Sequence, residues 1–283
     1  MNQKRGINEN GCYNREFKGY WAWTRKRIFK KRVCRCYSAR GKEKLDQEAI
    51  NLGNAFGNDR VMGKTCDTTD FDQVEALWNA AMEKFGKVDI WINNAGFSSA
   101  VGRLVDMNPQ EGLEMFKANS LGTMYGTQAA YKHGAKMLVN MYGAGSNGKA
   151  SSPMGLYATT KAWVTSFTRT LAKEMADGDM QIVGFSPGMM LTDMLTRPTA
   201  VGEAGAEMMK NYGFVLRFLA RTPQESATDL VRVLSQTRKP FTEYRVMKPW
   251  TPFVGLLRVL WENITKTGKT SEFKVEMKER YEK

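Results

Sequence analysis

Apolar positions from residue 45 onward recur in two alternating periods. Phe71, Val74, Leu77, Ala81 and Phe85 stand three and four apart, the spacing that lines one face of a helix, and predict a helix over 70–85. The short run Val88, Ile90, Trp91 and Ile92 reads instead as a buried strand over 88–92, closed by Asn93-Asn94-Ala95-Gly96. The same patterns predict helices over 45–56, 109–131, 156–176, 203–220, 223–235 and 252–264, and strands over 60–66, 137–141, 181–185 and 241–247. The charged stretch 271–283 reads as a solvated helix. Strands and helices alternating in this way predict βα units, hence a parallel sheet covered by helices.

At 283 residues, 42% of them hydrophobic and 25% charged, the chain can bury one large core. It holds no run of eighteen apolar residues, so no membrane-spanning helix is expected, and its first residues show no apolar stretch before a small-residue cleavage site. A cytoplasmic protein is the default expectation, or a plastid one in a photosynthetic eukaryote. The net charge of +13 would point to nucleic acid or an anionic surface. Yet residues 1–44 hold fourteen Lys and Arg against Glu9, Glu16 and Glu43, which leaves only +2 for the remaining 239 residues. The excess is local, and nucleic acid is not the expected partner of the body of the chain. Cys12, Cys34 and Cys36 crowd into the same segment, and His133 is the one histidine, so zinc-ligand spacing is absent and no metal is expected.

Tyr157 and Lys161 stand four apart at the start of a predicted helix, on one face of it. An ammonium one turn from a phenol favours the phenolate, which predicts a tyrosine pKa lowered towards neutrality. Such a side chain can protonate a carbonyl oxygen or deprotonate an alcohol. The pair alone arises often by chance, and its surroundings give it weight. Asn93-Asn94-Ala95-Gly96 follows a strand, where small residues let a cofactor approach the backbone. Asn119 opens Asn119-Ser120-Leu121-Gly122 on the next helix, and Pro187-Gly188 follows a strand and precedes Thr192.

In order and spacing these features resemble the short-chain dehydrogenases/reductases, from residue 60 to about residue 195. The resemblance implies a single doubly wound, Rossmann-like α/β domain that binds NADP, with NAD as the alternative. It implies Tyr157 as catalytic acid/base, Lys161 as its activator and a ligand of the cofactor ribose, and Asn119 as the holder of a proton-relay water. Asn93, Ala95 and Gly96 would line the adenosine side. Asp67 would meet the adenine, a helix cap or loop carboxylate being the equal alternative, and Pro187, Gly188 and Thr192 would meet the nicotinamide. The family's serine ordinarily stands shortly before the tyrosine, after a strand. Ser146 is the choice here, ahead of Ser151 and Ser152, which lie too near Tyr157.

Three strings narrow the resemblance. They are Asp89-Ile90-Trp91-Ile92-Asn93-Asn94-Ala95-Gly96, Asn140-Met141-Tyr142-Gly143-Ala144-Gly145-Ser146 and Ser186-Pro187-Gly188-Met189-Met190-Leu191-Thr192-Asp193. They look like the chlorophyll b reductases, which reduce a formyl group with NADPH, and imply a bulky aldehyde or ketone as substrate. Met189, Met190, Met194, Met208 and Met209 fall where the family has a substrate lid, and flexible thioethers suit a large apolar ligand.

The family opens with a strand, a Thr-Gly-x-x-x-Gly-x-Gly loop and a helix whose N-terminus binds pyrophosphate. Residues 1–40 hold no such pattern. Read one base later, the codons of residues near 12–37 permit the missing strand, loop, helix and second strand in order. A frame change over this segment, with the normal frame restored near Ser38-Ala39-Arg40, would account for the local charge and the clustered cysteines. Arg40 would then stand where the family pairs an Arg with the 2′-phosphate of NADP. On this reading the chain divides into an atypical basic segment 1–44, a Rossmann-like domain 45–250 and a helical extension 251–283, with the first strand-loop-helix disrupted. The competing readings are an inactive pseudoenzyme and a basic arm binding nucleic acid or an anionic surface. The apolar stretch 250–261 predicts a helix over the core or pocket, with peripheral membrane contact as its alternative use. A homo-oligomer is what the family resemblance implies.

Overall fold

The computed structural model describes the backbone of residues 11–14 together with residues 34–265 and 273–281. The strands are β1 (Gly11–Asn14), β2 (Arg35–Ala39), β3 (Val61–Thr65), β4 (Ile90–Asn93), β5 (Met137–Met141), β6 (Gln181–Ser186), β7 (Thr199–Val201), β8 (Phe241–Arg245) and β9 (Glu276–Lys278). Seven of them form one sheet in the order β3-β2-β1-β4-β5-β6-β8, parallel throughout. The strand order reverses between β1 and β4, the place where open α/β sheets bind ligands beyond their carboxyl ends.

The sheet is apolar on both faces because its strands alternate apolar with apolar. Ile92, Val139 and Val183 point to one side, packed with Leu45 and Leu52 of α1 (Lys42–Phe56) and Leu230 and Val233 of α9 (Pro223–Gln236). Their neighbours Trp91, Leu138 and Ile182 point to the other, against Val74, Leu77 and Trp78 of α2 (Phe71–Phe85) and Ala129 and Ala130 of α4 (Gly122–Lys132). Short-range signals set the helix limits. Asp70 accepts from the amides of Asp72 and Gln73 at the start of α2, and Gly86 ends it in the left-handed region at φ 75°. Thr222 and Glu225 form a capping box at the head of α9.

The remaining helices are α3 (Pro109–Phe116), α5 (Gly155–Glu174), α6 (Asp193–Thr196), α7 (Gly202–Lys210), α8 (Tyr212–Leu219) and α10 (Thr251–Thr265). The single helix expected over 109–131 is interrupted by a π turn, Lys117–Leu121, between α3 and α4. Three further expectations need correction. The sheet draws β1 and β2 from within the 1–44 segment, so the central strand is present in Gly11–Asn14, paired with β2 on one side and β4 on the other. The loop and helix that would follow it lie outside the described residues, as does most of the segment for which a frame change was inferred. The 203–220 helix is two helices, α7 and α8. The tail 273–281 is no helix: Glu276–Lys278 pairs in parallel with β7, and the alternation Phe273, Val275, Met277 is the period of a strand that the charges between them mask.

Candidate active site

β5, β6 and β8 end beside one another, and the loops beyond them enclose a cavity of about 420 Å³. Its walls bring together Tyr157, Lys161, Ser146, Gly96, Pro187, Gly188 and Thr192, which come from four separate stretches of sequence. All five lid methionines reach it, joined by Met141, Met154 and Met247. Among the described residues, the cations that line it are Lys161, Arg197 and Arg245, and no Asp or Glu does.

Tyr157 and Lys161 occupy the first two turns of α5. The Lys161 Nζ stands 5.9 Å from the centre of the Tyr157 ring and donates to the Met141 carbonyl at the end of β5, at 3.0 Å. Burial pushes the Tyr157 phenol up to about 12 and the Lys161 ammonium down to about 8. The expectation of a tyrosine already lowered by its neighbour is therefore corrected. The ammonium is engaged with a backbone carbonyl, and desolvation dominates both groups. Three tyrosines line the cavity. Tyr142 donates to Glu243 at 2.9 Å and Tyr212 to the Leu195 carbonyl at 2.9 Å, whereas no described residue hydrogen-bonds the Tyr157 hydroxyl.

Ser146 is buried in the loop after β5, and its hydroxyl accepts from the Gly143 amide at 2.9 Å and donates to the Lys161 carbonyl at 3.5 Å. Both of its hydrogen-bonding directions serve the loop. The backbone beside the Tyr157 hydroxyl is instead Gly143, where a β-carbon would lie 2.4 Å from that oxygen. The loop is held from outside by Arg245, which donates to the Ser146 carbonyl at 2.8 Å and lies over the Tyr142 ring. Arg169 in turn grips Glu243 through two bonds of 2.9 Å each. Sequence reading missed Arg245, Met247 and Tyr212, because they reach the cavity only through the fold of β8 and of the lid.

Around a second, smaller cavity stand Arg40, Asp67, Ala95 and Gly96, with Cys66, Thr68, Phe97 and Ala118. These are the residues expected at the adenosine end, and Gly96 borders both cavities. The Asp67 carboxylate also accepts from the amide and hydroxyl of Thr69, so the loop-carboxylate alternative is realised as well.

Two expected residues lie elsewhere. Asn93 is buried inside the sheet, accepting from the Trp91 indole at 2.7 Å and donating to the Thr123 carbonyl, Thr127 and Asn140. It lines neither of the two cavities, and Asn94 stands in the wall of the larger one. Asn119 sits in the π turn, fully buried, and clamps the Phe97 backbone by accepting its N–H at 2.9 Å and donating to its carbonyl at 3.0 Å. Its amide also donates to Thr160. It shapes the strand end that borders both cavities, in keeping with the frequent place of π turns at functional sites. Among the described residues no group of His, Cys, Asp and Glu is set to hold a metal.

A family profile described as short chain dehydrogenase matches residues 23–200. The chlorophyll(ide) b reductase NOL of Oryza sativa subsp. japonica is 31% identical over 166 residues, which cover 56% of this chain and 48% of that protein. A diacetyl reductase [(S)-acetoin forming] of Staphylococcus epidermidis is 32% identical over 136 residues, 46% of this chain and 52% of that one. The chain thus spans about half the length of these curated relatives. A 3-ketoacyl-(acyl-carrier-protein) reductase from Brucella melitensis, solved with NADH, has the same fold. Its TM-score is 0.70 at 22% identity, over 84% of this chain and 96% of that one.

Proposed function

Because the chain belongs to the short-chain dehydrogenase family, we propose that it is an NADP-dependent reductase of bulky apolar carbonyl compounds, a class that includes the formyl group of chlorophyll b-like pigments. The observation that carries this reading is the Tyr157 hydroxyl, unpartnered among the described residues, at the wall of a cavity to which those residues bring eight methionines and no carboxylate. Chlorophyll(ide) b reductases among the relatives support the large substrate, and the diacetyl reductase among them makes a small ketone the alternative.

NADPH, when bound, supplies the hydride. Arg40, Asp67, Ala95 and Gly96 would hold its adenosine end, with Arg40 pairing the 2′-phosphate. Pro187, Gly188 and Thr192 would meet the nicotinamide, and Lys161 the ribose beside it. Tyr157 keeps its proton at working pH and hydrogen-bonds the substrate oxygen, then yields the proton as negative charge grows there. Lys161 lies close enough to stabilise the phenolate that results. Gly143 offers no side chain beside the reacting oxygen, so Tyr157 provides the proton without a neighbouring serine hydroxyl, while Ser146 and Arg245 hold the loop. Thioether walls adapt to an extended ring system at little cost in fit.

The reading is tested by following NADPH consumption with a polycyclic aromatic aldehyde, with diacetyl and with no carbonyl. Turnover of the aldehyde that is lost in Tyr157→Phe is expected. A folded sample that neither binds nor consumes NADPH would mean a pseudoenzyme, and a preference for diacetyl would overturn the bulky substrate.

A further inference from the structure

α10 is amphipathic the wrong way round. Its polar side chains turn inward onto α8. Arg258 donates to the carbonyls of Arg217, Phe218 and Ala220, while Arg217 of α8 reaches out to Glu262 at 3.1 Å and to Asn263 at 2.7 Å. The two backbones touch at Gly255, where a β-carbon would lie 2.2 Å from the Phe218 carbonyl oxygen. Gly255 and Val259 are the only buried residues of the helix. The opposite face is apolar and bare: Trp250, just before the helix, then Phe253, Val254, Leu257, Leu260, Trp261 and Ile264 are 49–77% exposed. These positions recur at three and four, so they form one continuous stripe. A patch of this extent, on the order of several hundred Å², marks a surface that something covers.

Charge selects the occupant. The helix carries two charged side chains, Arg258 and Glu262, and both are spent on α8. The stripe itself has none. Lys248 precedes it, and Lys266 and Lys269 follow it in the sequence. Two copies of the chain paired through this stripe would bring those lysines together. A layer of anionic headgroups would neutralise them. Trp250 and Trp261 stand near the two ends, roughly 16 Å apart along the helix, and each offers an apolar ring with one polar N–H, the chemistry of the headgroup boundary. Fifteen residues of helix extend only about 22 Å, short of a bilayer, and no described helix is long and apolar enough to cross one.

We propose that α10 docks the protein in the plane of an anionic lipid surface, its outer face in the acyl boundary and Lys248 beside it among the headgroups. The inference stands apart from the reductase reading, though the two would serve each other. Met247, three residues ahead of Trp250, and Tyr212 of α8 line the large cavity, so an apolar substrate would be met beside the surface that dissolves it.

The test is sedimentation of the full chain with vesicles of phosphatidylcholine alone and of phosphatidylcholine with phosphatidylglycerol, for the native protein and for Leu257→Glu, with light scattering of both. Binding to the anionic vesicles, weakened by salt and reduced roughly tenfold or more in Leu257→Glu, is expected. If Leu257→Glu does not fold, Trp261→Ala takes its place, with the same loss expected at smaller size. Three results would overturn the proposal. One is absence of binding to anionic vesicles at low salt. Another is binding that the variants leave unchanged, which would put the contact elsewhere. The third is a native dimer that Leu257→Glu converts to monomer, which would mean that a second copy covers the stripe.

Discussion

Lys161 gives an ammonium hydrogen to the Met141 carbonyl at 3.0 Å and makes no hydrogen bond to the Tyr157 hydroxyl, although its Nζ stands 5.9 Å from the tyrosine ring centre. The last residue of β5 therefore fixes the cation beside the phenol. Helix spacing alone aligned the two side chains but left open which acceptor the ammonium would take.

The pH dependence follows from that burial. Lys161 falls from 10.5 to about 8, so its charge is complete well below 8 and lost above it. Reduction that needs the ammonium should hold a plateau of kcat/KM at lower pH and decline as pH rises through about 8, while Lys161→Met should remove that limb together with most of the rate. For stability the sign is opposite to that of a favourable pair. The folded state resists protonation, so the cost is full below about 8 and is relieved as pH rises from there to 10.5. A kcat/KM profile with no inflection between 7 and 9 would refute the assignment.

Tyr157→Phe should lower kcat by on the order of 10²–10⁴-fold. Its hydroxyl has no protein partner among the described residues, so the thermal midpoint should be unchanged or slightly raised. Melting and turnover on one preparation separate the two effects. A marked loss of stability would mean that the hydroxyl is tied into the structure.

Gly143→Ser would put a hydroxyl-bearing side chain beside Tyr157. It should be damaging, because the new β-carbon would meet the Tyr157 oxygen at 2.4 Å and the Lys161 side chain at 3.0 Å. Turnover should fall by about tenfold or more, with the cofactor Kd little changed. Gain of activity would show that the loop can move to admit the side chain.

Asn93→Ala should act on folding and not on the cofactor. It strips a buried amide from Trp91, Thr127 and Asn140, and about 2–4 kcal/mol of stability should go with it. Urea unfolding measures the loss, and titration with NADPH should give a Kd close to that of the native protein. A selective loss of NADPH affinity would return Asn93 to the cofactor site.

Removal of residues 273–283 should loosen the substrate lid while leaving the main sheet folded. β9 pairs with β7, and Phe273 packs on Tyr212, so the tail fastens the lid from behind. KM for a bulky aldehyde should rise more than kcat falls, and circular dichroism should change little. Global unfolding of the truncated chain would show that the tail belongs to the core.

The alternation of strands and helices that marks a doubly wound sheet, and the alignment of Tyr157 with Lys161 on one face, were legible along the chain, because each shows as a periodicity no longer than a helical turn. So were Pro187, Gly188, Thr192 and the lid methionines, which lie in one local pattern and meet at one cavity. The fates of Asn93 and Ser146 were not. Both carry polar side chains able to serve either a ligand or the protein, and the choice depends on partners up to 47 residues away in sequence. Arg245 reached the active-site loop across 99 residues, and the tail became a strand only because β7 was there to pair with it. Periodicity along the chain sets which face of an element is apolar. Which acceptor a buried donor finds, and which neighbour completes a strand, is decided only when the sheet brings distant segments side by side.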